Sequence, residues 1–218
     1  MIVPVHVDHL VRGHAQVRCH VPDVRGGVVF GWHSLGDAVI YGVYLGQRQG
    51  DLLKLPAIAI QSGQDGQLRV HLRQSKRGAR VAIPLHPRAA ERFKAAQQRR
   101  SDSGNKVPTA LWNEQTGKPW VADTFRHEFS TIREGVASAV PSIADVWFMD
   151  TRDTAVTKLA EAGCTIPEIC AITGHNEASA YGILKHYLAL NGEMADAAIA
   201  KLVAHEERQG AKREQAAD

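Results

Sequence analysis

The alternation of apolar and polar positions changes period twice along this chain. From Leu35 to Leu45 the apolar residues Ala38, Val39, Ile40, Val43, Tyr44 and Leu45 leave almost no polar face, which predicts a helix buried on all sides. Gly46 ends it, and Gln47 to Leu55 starts another helical turn that Pro56 limits. The period then drops to two. Ala57–Gln61, Gln67–Gln74 (Leu68, Val70 and Leu72 alternating) and Arg80–Leu85 (Val81, Ile83 and Leu85 alternating) read as strands. Gly63, Asp65-Gly66 and Ser75-Lys76-Arg77-Gly78 supply turns, so the three strands form a small antiparallel sheet.

Beyond this the helical period returns. Helices are predicted over Pro87–Arg100, Ala122–Val136 and Arg152–Ala162, with a polar loop at Ser101–Lys106 and a stop at Gly163. Thr165-Ile166-Pro167-Glu168 has the form of a capping box with proline in the first turn, opening a helix that ends at Gly174. Glu177–Lys185 and Glu193–Glu207 follow. The expected architecture is α+β, mostly helical with a three-stranded antiparallel sheet. One domain spans 35–207, between a Val-, His- and Arg-rich lead-in (1–34) and a polar, frayed tail (208–218).

Composition narrows the function classes only slightly. The 218 residues are 44% hydrophobic and 22% charged, ordinary for a globular protein, and the net charge of +3 permits DNA binding without demanding it. Three cysteines, an odd number without metal-ligand spacing, suit the reducing cytoplasm rather than a disulfide framework. His6, His9, His14, His20 and Cys19 match no zinc pattern, so neither metal nor other cofactor is expected. No apolar run approaches the roughly 18 residues of a membrane span, and the N-terminus does not have the form of a signal peptide.

The chemistry-bearing residues cluster late in the chain. Met149-Asp150-Thr151-Arg152, Thr173-Gly174-His175 and Lys185-His186-Tyr187 offer a cation, a hydrogen-bond donor and a phenol, the parts needed to attack a phosphodiester. Two earlier cations extend the set. Arg48 at a helix start could reach a phosphate with Asp51 steadying its guanidinium, and Lys76 in the strand turn could protonate a leaving oxygen. Each has a plainer role when taken singly. Arg48 could be a surface arginine capped by Asp51, Lys76 a solvated turn charge, and His175 a helix-end histidine. Tyr187 could be a core aromatic, with Tyr181 as a competing nucleophile.

In order, however, these segments resemble the catalytic domain of the tyrosine recombinases, the phage integrase family. The matching stretches are Gly46-Gln47-Arg48-Gln49-Gly50-Asp51-Leu52-Leu53, Gln74-Ser75-Lys76-Arg77-Gly78, Phe148-Met149-Asp150-Thr151-Arg152, Glu168 to His175, and Ile183 to Leu188. The resemblance implies site-specific DNA strand exchange on double-stranded DNA by a homo-oligomer, without cofactor. Arg48 and Arg152 would clamp the scissile phosphate, Lys76 would be the general acid, His175 a phosphate donor and Tyr187 the nucleophile. Met149 stands where the family usually has a histidine, and the stretch from His175 to Tyr187 is longer than in many members. The family's helical core-binding domain has no counterpart in 1–34, so a fragment or a truncated, recombination-inactive DNA-binding remnant is the first alternative. A small helical interaction module with no nucleic-acid role is the second.

Overall fold

In the computed structural model, residues 33–75, 78, 80–188 and 192–215 are described, with side chains omitted at 186–188, 192–194 and 210–215. Residues 1–32, with the histidines and Cys19 considered above, lie outside them.

Helix α1 (His33–Leu45) is the axis of the fold, and eleven of its thirteen residues are buried. That burial is what its nearly unbroken apolar pattern requires. Gly46 follows with φ +60, and a short helix α2 (Gln49–Leu53) comes next. Strands β1 (Ile60–Ser62), β2 (Leu68–Arg73) and β3 (Arg80–Pro84) form an antiparallel sheet in sequential order, with Val70 opposite both Ile60 and Ile83. The start of the first predicted strand, Ala57–Ala59, is a 3₁₀ turn instead.

Helix α3 (Pro87–Ser103) is capped by the His86 side chain and by left-handed Gly104. It runs three residues into the predicted polar loop, because the polar Ser101-Asp102-Ser103 continue the helix until a glycine stops it. A two-stranded hairpin, β4 (Trp112–Asn113) with β5 (Lys118–Pro119), was not foreseen. Helices α4 (Ala122–Ala137), α5 (Asp150–Glu161), α6 (Ile166–Thr173), α7 (Glu177–Leu188) and α8 (Gly192–Gln215) complete the chain. The capping box on α6 forms as read: Thr165 Oγ1 accepts from the Glu168 N–H, and Glu168 accepts from the Thr165 N–H. Helix α8 continues to Gln215, through what the sequence suggested was a frayed tail.

The apolar interior has two parts. A large cluster joins α1, the sheet, α3 and α4, with Phe125 edge-on to Trp120 and Phe148. A smaller one joins α5, α6 and α7 through Val156, Ala160, Ile169, Ala180 and Leu184. Helix α5 stitches them together. A Cβ on Gly42 of α1 would collide with Thr151 of α5, and one on Gly46 would lie 3.2 Å from Ala155 Cβ. Two glycines thus let the backbones approach closely beside the first turn of α5, which carries Arg152.

Candidate active site

Arg152 sits in the first turn of α5 and is 7% exposed. Its side chain crosses to the first cluster, where Nη1 donates to the Gly46 carbonyl. Its Nε donates to His175 Nε2 at 3.1 Å. His175 follows Gly174, the left-handed cap of α6 (φ +65), which turns the chain sharply enough to bring the imidazole back over the helix end. His175 Nδ1 lies 2.9 Å from Thr173 Oγ1, which itself donates to the Ile169 carbonyl. Both contacts are satisfied by one tautomer, with the proton on Nδ1 and Nε2 free to accept from the guanidinium.

Arg48 enters from the large cluster, as the residue before α2, in extended conformation. It is half-buried, and its Nη1 is shielded from solvent without a hydrogen-bond partner among the described residues. The Gly46 carbonyl that receives Arg152 is only two residues upstream, so the Arg48 backbone lies near the Arg152–His175 pair.

Asp51 does not steady Arg48 as the sequence suggested. Its Oδ1 accepts from the Ser75 N–H at 2.9 Å. One helical turn past Arg48, Asp51 points across to the β2–β3 turn, so it holds the segment preceding Lys76 instead. Lys76 lies outside the described residues. The Tyr187 backbone lies within α7 rather than after a short helix, in the last turn before Leu188. Met149 precedes α5 and is 72% exposed, at the rim beside Arg152. Asp150 Oδ2 accepts from the Trp147 N–H at 2.7 Å, shaping the entry to α5. Burial raises the Asp150 carboxyl above its usual range; burial, then the neighbouring Asp150, does the same for Asp153.

Two residues to which the sequence assigns no role, Gln47 and Gln74, stand at the centre. Gln47 (1% exposed) donates from Nε2 to the carbonyls of Leu45 (2.7 Å) and Ile172 (2.9 Å). Gln74 (0% exposed) donates from Nε2 to Gln47 Oε1 (2.6 Å) and to the Thr173 carbonyl (2.8 Å). Their signal was faint: uncharged amides immediately before Arg48 and two residues before Lys76. Among the described residues no group of histidine, cysteine and acidic side chains could hold a metal, and no helix is long and apolar enough to cross a membrane.

The phage integrase family model matches residues 41–194, most of the chain and all of the site just described. The chain belongs to that family. No curated protein matches it. The fold is similar to that of the XerA recombinase, with a TM-score of 0.62 and 14% identity over 90% of this chain and 62% of that one. It is similar also to the Tn1549 transposon integrase in complex with transposon right end DNA (TM-score 0.62, 16% identity, 92% of this chain and 65% of that one). A lambda integrase dimer bound to a COC′ core site gives 0.57 at 18% identity, over 83% and 57%. At these identities the likeness is one of fold, and the chain spans under two-thirds of each of these three proteins.

Proposed function

We propose that this chain carries the catalytic centre of a site-specific DNA recombinase of the tyrosine type, acting on double-stranded DNA in the cytoplasm as a homo-oligomer. One observation carries the reading. Arg48, with a shielded nitrogen that has no partner among the described residues, lies close in the chain to the carbonyl that positions Arg152 against His175. Two guanidiniums and an imidazole, Arg48 coming from a segment more than a hundred residues before the other two, would form a receptor for one anionic group. A phosphodiester meets that description.

Tyr187 Oη attacks the phosphorus and releases its phenolic proton to solvent, forming a 3′-phosphotyrosyl bond as the bond to the 5′ oxygen breaks. Lys76 supplies the proton that the departing 5′ hydroxyl needs, and Arg48 and Arg152 offset the charge building on the non-bridging oxygens. For His175 to donate to a phosphate oxygen as well, its Nε2 must take up a proton and release the Arg152 Nε–H. A second 5′ hydroxyl then reverses the steps. One phosphodiester is exchanged for another through a bond of similar energy, so the cycle needs no energy input.

The test is covalent capture. The protein is incubated with a pool of nicked duplexes bearing a randomised core, denatured, and the protein-linked DNA is recovered and sequenced. A covalent adduct that disappears in Tyr187→Phe is expected. DNA binding without any adduct would favour the recombination-inactive remnant, and no salt-dependent binding at all would remove the nucleic-acid role.

A further inference from the structure

The Gln47–Gln74 pair has features of a positioning device more than of a stabilising one. Both side chains lie fully within the protein, and all four of their amide N–H bonds are used. The orientation of both amides is thereby fixed, since turning either would set carbonyl against carbonyl. Gln74 Oε1 is nevertheless left buried without a partner among the described residues, and such an orphan acceptor weakens the fold. What the pair provides is geometry. Gln47 ties the Arg48 segment to the last turn of α6, and Gln74 ties the end of β2 to the same turn, one residue before Gly174 and two before His175.

The Gln74 backbone closes the β2–β3 turn as well, because its carbonyl accepts from the Gly78 N–H at 2.8 Å. Arg73 Nε reaches the Gly78 carbonyl at 3.3 Å, and Asp51 holds the Ser75 N–H. The turn containing position 76 is thus fastened at its base, and its only side-chain bridge to the His175 side of the site among the described residues is Gln74. Gly174 is part of the same fit, since any Cβ there would strike the Gln74 amide.

We infer that Gln47 and Gln74 form a positioning bridge that holds the base of the β2–β3 turn, the turn whose sequence carries Lys76, to the Arg48 segment and to the end of α6 before His175. The inference rests on the recombinase reading above. The bridge acts on proton delivery to the leaving group rather than on DNA affinity.

The experiment compares wild-type protein with Gln74→Met, Gln47→Met and the double variant. Methionine keeps the volume and removes the amide. The substrate is the duplex recovered by covalent capture, made with either oxygen or sulfur bridging the scissile phosphate to the 5′ carbon. A thiolate leaves without a proton donor, so the sulfur substrate bypasses Lys76. Melting temperature and DNA affinity are measured alongside. Each glutamine variant should remain folded, bind DNA within about threefold of wild type, and cleave the oxygen substrate about 10- to 100-fold more slowly, as supporting residues behind a reactive group typically do. The sulfur substrate should restore most of that loss, and adding Gln74→Met to Lys76→Ala should cost little more than Lys76→Ala alone. Equal loss on both substrates, full additivity with Lys76→Ala, or cleavage unchanged from wild type would each overturn the bridge while leaving the recombinase reading intact. Absence of any adduct in the wild type would instead overturn that reading, and the bridge with it.

Discussion

Tyr187→Phe removes one oxygen and little else. If that oxygen forms the bond to DNA, covalent capture is abolished while affinity stays within a factor of about two, measured by adduct yield and by equilibrium titration. Tyr181→Phe should change neither, since Tyr181 is 65% exposed and stands six positions away, about 240° around the axis of α7. Met149 invites the opposite experiment. At 72% exposure it has room for an imidazole, and it stands three residues before Arg152, where the family usually places a histidine. One charge-stabilising donor is commonly worth about 10²- to 10³-fold in rate. Met149→His should therefore speed cleavage of a captured duplex at least tenfold with stability unchanged; an unaltered rate in a folded variant would mean that the remaining donors suffice. At this scale the sequence singles out Arg152 and His175 by residue type, and the two are in contact in the fold. The sequence was not legible where the partner is set by tertiary contact. Asp51 suggested a salt bridge to its near neighbour and instead takes the amide of Ser75, 24 residues away.

Among the elements, the ends of helices decide where the chemistry points. Gly174 ends α6 with φ +65 and backs onto the Gln74 amide, so Gly174→Ala carries both a backbone penalty and a collision. Gly66→Ala makes the comparison clean, because it has φ +74 with nothing within 4 Å of the added carbon. The backbone penalty of about 1–2 kcal/mol is common to both. The further loss of stability in Gly174→Ala, read by denaturant unfolding, isolates the collision, and only that variant should slow cleavage. Such terminal glycines, and the capping box of α6, are why the helices and the three-stranded sheet could be placed from pattern alone. The β4–β5 hairpin escaped because strands of two residues have no period to detect. The late ends of α3 and α8 escaped because the residues that extend them, Ser101–Ser103 and 208–215, are mostly polar and read as loop.

For the molecule as a whole, stability is coupled to pH through a carboxyl far from the candidate site. Glu114, at the end of β4, accepts the Ser34 N–H at 2.6 Å where α1 begins, while its Oε2 is buried without a partner among the described residues. Burial pushes this carboxyl up to about 7 from an ordinary value of 4.5, with the Asp37 charge adding in the same direction. Between those values the folded protein holds a proton that the unfolded chain has released. The resulting contribution to stability is complete below about 4.5 and is lost as pH rises through 7. His33 and His86 act in the opposite sense. Burial lowers both below the usual histidine value, so each favours the folded state above about 6.5 and works against it as pH falls. The raw stability curve therefore mixes signs, and Glu114→Gln separates them. Glutamine keeps an acceptor for Ser34 and cannot ionise. The stability of the variant minus that of the wild type should climb by on the order of 1–3 kcal/mol between pH 4.5 and 7.5, then level off, in denaturant unfolding followed at several pH values. A difference that stays flat across that range would mean that water reaches Glu114 and that the start of α1 is looser than its buried contacts imply.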